Sequence, residues 1–168
     1  SDNVVAVDTA FQQDRAGSVD GYIAVFDKST KVLKAFTYFG TPAYDQIYFI
    51  DLDRNGFVYA TGQTEGSISK IGAAYGEDNK GQFIFKMDTS LLNLQWQTTF
   101  GNTDNKINLA PSAFLVDVCE HIYFSGWGSD IAPLLPHPGS TNGMETTNDA
   151  EQSETDNNDF YILVLDKD

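Results

Sequence analysis

The chain repeats itself, and that constrains its fold more than any other feature. Asp20-Gly21-Tyr22-Ile23-Ala24-Val25-Phe26-Asp27 returns at 80–88 as Lys-Gly-Gln-Phe-Ile-Phe-Lys-Met-Asp, and again at 158–166 as Asn-Asp-Phe-Tyr-Ile-Leu-Val-Leu-Asp. Each copy is a short apolar run closed by Asp. Phe36-Thr37-Tyr38-Phe39-Gly40 follows the first copy and Trp96-Gln97-Thr98-Thr99-Phe100-Gly101 the second. Asp27 to Asp88 and Gly40 to Gly101 share one offset of 61 positions. A further pair keeps its own register: Asp53, Tyr59 and Gly62 map to Asp117, Tyr123 and Gly126 at an offset of 64, so three extra residues lie in the connecting loop.

Each unit predicts four strands, near 22–27, 32–39, 47–52 and 57–61 in the first and 83–87, 94–100, 113–117 and 121–125 in the second. These segments are rich in the β-branched and aromatic residues that suit a pleated, half-buried surface. Residues 4–9 read as the last strand of a preceding unit, and 159–166 as the first strand of a following one. The expected fold is therefore all-β: β-propeller blades, four-stranded antiparallel units, with repeat one at 20–64 and repeat two at 80–128 inside a single segment, 1–168. Two blades cannot close a ring, so further blades or an associating chain are expected to cover the open faces. Two connections depart from the compact pattern. Residues 64–80 carry Gly and Ser, and 127–158 form a long Pro-, Gly-, Thr- and Asn-rich loop with Pro133, Pro136 and Pro138, of a length that is functional or poorly ordered. Its tail, 145–158, is acidic and almost without apolar anchors, which predicts mobility.

Charge limits the partners. Asp and Glu outnumber Lys and Arg 24 to 10, a formal charge of −14, so the surface repels phosphate backbones and anionic headgroups. No nucleic acid partner and no membrane insertion are expected, and no apolar run is long enough to span a bilayer. Cys119 is the only cysteine, so no internal disulfide and no Cys-based zinc site are expected within the chain. Ser1-Asp2-Asn3 shows neither an initiator Met nor a signal pattern, the expectation for a processed product or an excerpt.

At Gly21 to Asp27, Tyr38 to Gly40 and Asp53 to Gly62 the first unit resembles the β-propeller repeat family known as SBBP. The second unit, with Pro111-Ser112-Ala113-Phe114 and Tyr123-Phe124-Ser125-Gly126-Trp127-Gly128, and the strand Asp159-Phe160-Tyr161-Ile162-Leu163-Val164-Leu165 are similar to a subset found in large surface proteins of gliding Bacteroidetes. That resemblance implies a multidomain parent exported by the type IX secretion system, displayed outside the cell or released, with further blades or domains, secretion components, surface glycans or proteins as partners. Its motifs are strand and turn positions, so it implies a fold and carries over no active residue. Glu120 departs from the pattern, standing where Gly56 sits in the first unit.

Candidate sites are few. Asp51-Leu52-Asp53-Arg54-Asn55-Gly56 spells D-x-D-x-N-G, the opening of many calcium loops, and makes Asp51, Asp53 and Asn55 the candidate calcium ligands. In that frame Tyr59 and Gly62 occupy the later ligand positions, so the closing carboxylate is absent, and a hairpin turn organised by Asp53 explains the same residues. Asp117, Cys119 and His121 alternate along the chain and offer a transition-metal donor set. The repeat places the latter two in a turn and at the next strand's start. His137, between prolines, reads as a loop residue. Trp127 is the candidate ligand-binding residue, for a sugar or protein partner, with lid packing as its structural alternative. Asp8-Thr9-Ala10 matches a short O-glycosylation signal.

No G-x-S-x-G elbow, H-E-x-x-H or phosphate-cradling loop is present, so no catalytic residue is assigned. The leading reading is a non-enzymatic extracellular or cell-surface module, a structural or adhesion platform linked to gliding motility and type IX secretion, needing no cofactor. The alternatives are a carbohydrate-binding propeller using 64–80 and 127–158, and a calcium-dependent or hydrolytic enzyme.

Overall fold

The computed structural model describes residues 9–101, 107–128, 144, 146–152 and 159–167. Apart from Thr9, the expected strand at 4–9 lies outside them, as do His137, the three prolines and most of the 127–158 loop. The described residues hold nine strands and no helix: β1 (Gly21–Phe26), β2 (Leu33–Phe39), β3 (Asp45–Leu52), β4 (Val58–Thr64), β5 (Gln82–Met87), β6 (Leu94–Phe100), β7 (Ala110–Val116), β8 (Ile122–Trp127) and β9 (Phe160–Leu165). Among the described residues no helix is long and apolar enough to cross a membrane.

The strands form three antiparallel sheets, ordered β1-β2, β3-β4-β5-β6 and β7-β8-β9. The unit of the sequence is therefore not the unit of the fold. Reading each repeat as one sheet is corrected by the pairing of β4 with β5, which runs from Val58↔Met87 to Gln63↔Gln82 and joins the last two strands of repeat one to the first two of repeat two. The reason lies in the corner between β2 and β3. Pro42 has no N–H to continue a ladder there. Thr41 folds onto Asp45, its amide and hydroxyl donating to Oδ2 at 2.6 and 2.8 Å. The chain turns out of one sheet and starts the next.

The middle sheet is buried on both faces, and β4 is buried along its whole length. One face packs Phe83, Phe85 and Met87 against Ile23, Ala35 and Phe39 of the first sheet. Phe39 stacks on Phe85 with ring centroids 4.2 Å apart. The other face packs Tyr59, Ile84 and Phe100 against Val116, Ile122, Phe124, Tyr161 and Leu163 of the third. Successive sheets repeat one geometry. Ile23, Ile84 and Ile162 hold the same repeat position: the first two face the next sheet and are 4% and 0% exposed, and Ile162, with no following sheet among the described residues, is 73% exposed.

The edges of β6 and β2 are shielded. Residues from the 64–80 connection run beside β6, where the Ile71 amide donates to the Gln97 carbonyl and receives the reverse bond, and Glu77 N donates to Thr99 O. Gln12 does the same for β2, its carbonyl accepting from Tyr38 N. Covering an edge in this way removes a template for unwanted strand pairing.

Candidate functional site

The β3–β4 and β7–β8 turns are built alike, as their shared sequence register demands. In the first, Asp53 Oδ1 accepts from the amides of Asn55 and Phe57 at 2.8 and 2.9 Å, and Tyr59 Oη donates to Oδ2 at 3.3 Å. In the second, Asp117 Oδ1 accepts from Cys119 and His121 at 2.7 and 3.0 Å, and Tyr123 Oη donates to Oδ2, again at 3.3 Å. An Asp that holds its own turn this way is a side chain mimicking a backbone turn.

The first turn carries a cation of its own. Lys86, on β5 opposite Tyr59, places Nζ 3.4 Å from Asp53 Oδ2, over the rings of Phe57 and Tyr59 at 4.6 and 4.8 Å. Burial opposes ionisation of Asp53, but the amides of Phe57 and Asn55 and the Lys86 ammonium outweigh it and hold its carboxyl below the usual range. Of the candidate calcium ligands, Asp51 is spent elsewhere, its Oδ2 accepting from Val116 N of the third sheet at 2.8 Å and its Oδ1 from Leu52 N. Asn55 donates to Glu120 at 3.1 Å. The three side chains serve the turn and the sheet interface, and an ammonium stands beside the carboxylate that would hold calcium.

Glu120 takes a left-handed φ of 69° where its repeat equivalent Gly56 takes 85°. A non-glycine residue there costs about 1 kcal/mol or more. Its carboxylate uses the position to cross between sheets, reaching Lys86 Nζ at 3.1 Å as well as Asn55. Sequence reasoning marked Glu120 as a departure and missed Lys86, although a lone charge inside the apolar run of β5 was the available signal.

At the second turn His121 Nδ1 lies 2.9 Å from Asp117 Oδ2, and Nε2 lies 3.7 Å from Asp166 Oδ1. Hydrogen bonding to the imidazole lowers the Asp117 carboxyl to about 2, and the same bond raises His121. One donor atom each from Asp117, Cys119 and His121 fall within 4.8 Å of one another.

Beside these turns a cavity of about 140 Å³ opens between the second and third sheets, lined by Tyr59, Tyr75, Lys86, Trp96, Glu120 and Asp166 among others. Trp127 stands apart from it, at the end of β8 opposite Phe160 and 38% exposed. With Tyr123, Ile162 and Val164 it belongs to the open outer surface of the third sheet.

A family model, SBBP, described as a beta-propeller repeat, matches residues 36–68, the stretch from within β2 to just beyond β4. No curated protein matches the chain. The antiparallel sheets stacked face to face make the described residues an all-β structure, consistent with the beta-propeller repeat that matches at residues 36–68.

Proposed function

We propose that this chain is a non-enzymatic, extracellular structural module of a secreted or cell-surface protein, a platform that extends by stacking further blades. The observation that carries this reading is the graded burial of one repeat position: Ile84 is 0% exposed beneath the third sheet, and its equivalent Ile162 is 73% exposed on that sheet's outer surface. Phe160, Val164, Leu115 and Tyr123 share the exposure, an apolar surface of the kind that soluble chains keep for a partner. On the opposite end Tyr22, equivalent to the fully buried Phe83, is 61% exposed. The polar groups of the repeat are committed to turns and sheet interfaces, which suits a scaffold, and the charge of −14 suits dispersal outside the cell. A role in adhesion, gliding motility or type IX export rests on the resemblance of the second unit to gliding-associated surface proteins. In sedimentation experiments the chain should self-associate through its open faces, and Ile162→Asp should reduce that association. A monomer at all concentrations, indifferent to the substitution, rejects the reading. Protease shaving of intact source cells that leaves the protein untouched rejects the surface location.

A second reading, carbohydrate binding, is favoured by the cavity. Tyr75, from the 64–80 connection, and Trp96 supply aromatic faces beside the polar groups of Lys86, Glu120 and Asp166, the mixture that sugar sites use. A glycan array tests it: binding lost in Trp96→Ala but kept in Trp127→Ala supports the cavity, and silence across the array removes it.

A further inference from the structure

The two Asp turns act as controls for one another. Both need Asp to accept the turn amides and Tyr to donate to its second oxygen, and both have them in the same geometry. Neither needs Cys or His: the first turn is complete with Asn55 and Phe57 in the places of Cys119 and His121. The second difference is across the sheet. Tyr59 pairs with Lys86, whereas Tyr123 pairs with Val164, so among the described residues no lysine faces Asp117 Oδ2 as Lys86 faces Asp53 Oδ2, and the His121 imidazole stands there instead. Where the repeat loses its built-in cation, it gains a thiol and an imidazole on the same turn.

We propose that Asp117, Cys119 and His121 bind a borderline divalent metal ion of the Zn²⁺ class, which takes the place that the Lys86 ammonium holds in the preceding repeat. The donor set selects the class, since thiolate and imidazole favour zinc-like ions and disfavour calcium and magnesium, which take oxygen. Ligand atoms around a tetrahedral zinc stand roughly 3.3–3.6 Å apart. The present donors lie within 4.8 Å, with Asp117 Oδ2 and His121 Nδ1 at 2.9 Å, so rotation of the exposed Cys119 side chain and a small shift of the half-buried His121 close the site. Asp166, at the end of β9, stands 3.7 Å from Nε2, the position from which a carboxylate orients a metal-bound imidazole by accepting its other N–H. Three protein ligands leave the fourth position to water. On binding, the thiol releases its proton to solvent and no redox partner is required. Cys119 is a free, exposed thiol, open to the ion.

The test uses the whole chain under reducing conditions. Calorimetric titration with Zn²⁺ should give one equivalent, and Co²⁺, used as a spectroscopic stand-in, should give a thiolate-to-metal charge-transfer band. The informative variant is the double substitution Cys119→Asn with His121→Phe, which copies the first turn and leaves the metal-free melting temperature close to that of the parent. It should lose the band and weaken zinc binding by tenfold or more, on the order of the loss that even outer ligand partners produce. Each single variant should fall between. Zinc binding of equal strength in the double variant, a cobalt complex without the thiolate band, or no binding at millimolar ion each overturns the proposal. A double variant that fails to fold is replaced by Cys119→Ser, for which loss of the charge-transfer band remains the deciding readout.

Discussion

Glu120 and Lys86 meet at 3.1 Å across the boundary between two sheets, from a turn whose backbone would suit glycine better. Lys86 is also 3.4 Å from Asp53, whose side chain is wholly buried, so one ammonium answers two carboxylates. Removing it leaves Asp53 ionised and enclosed. Lys86→Met should therefore destabilise by about 3 kcal/mol, the range for stripping one partner from a buried pair. Glu120, partly exposed, matters less: Glu120→Gly loses the bridge and relieves the backbone, and the two effects should leave a net change under about 1 kcal/mol. Urea unfolding of both variants checks the ranking.

Acid should act through the same group. The folded carboxyl of Asp53 is held below its ordinary value, so its contribution is fully present above the unfolded carboxylate value of about 3.9 and is lost as pH falls through the folded one. The groups facing it are Lys86, Tyr59 and, through Lys86, Glu120. Lys86 stays protonated throughout that range. This contribution to the melting temperature should be level from pH 5 to 7 and decline below about pH 4, while the separate contribution of protonated His121 fades as pH rises through its raised value. The acid decline should be shallower in Asp53→Asn, whose stability at neutral pH is already reduced.

Ile84 and Ile162 give a matched pair. Ile84→Ala should cost about 2–5 kcal/mol, as for other buried aliphatic truncations. Ile162→Ala should stay within about 0.5 kcal/mol, as for exposed sites. In a version of the protein carrying a further stacked unit, the second value should rise towards the first, and thermal denaturation of the parent, both variants and the extended protein with and without Ile162→Ala measures it.

Gly62 is a steric requirement. A Cβ there would lie 2.0 Å from the Gln46 carbonyl oxygen and 2.6 Å from the Phe83 ring, beside the bulge at Ile47/Phe49. The backbone oxygen cannot step aside without breaking the β3–β4 ladder. Gly62→Ala should destabilise by more than about 2 kcal/mol, whereas Gly56→Ala should cost less, about 1 kcal/mol from its left-handed φ of 85°, since its nearest new neighbour is the Thr89 methyl at 3.8 Å.

Strand positions were legible in the sequence because apolar runs and closing Asp residues recur at fixed offsets: all the described strands fall where the repeat places them. Sheet membership was not legible. Nothing local distinguishes the β2–β3 corner from a hairpin except Pro42 and the Thr41–Asp45 contact, and which edge pairs with which is settled by packing across sheets. The turn chemistry of Asp53 and Asp117 could be read from spacing alone, since each serves amides within four residues. Lys86 could not, because its partners come from 33 positions before it and 34 after it, joined only once two sheets stack. The Tyr75–Trp96 cavity was hidden for the same reason.

The offset between copied unit and paired unit has a consequence for how the molecule comes apart. A cut within 65–80, at the natural border of the repeats, severs β4 from β5 and leaves two halves, each with an unpaired edge in what was one sheet. A cut at 41–44 severs no ladder. Neighbouring repeats are thus stitched by backbone hydrogen bonds as well as by side-chain contact, so an array of them should melt as one body and resist the loss of a single member from its middle.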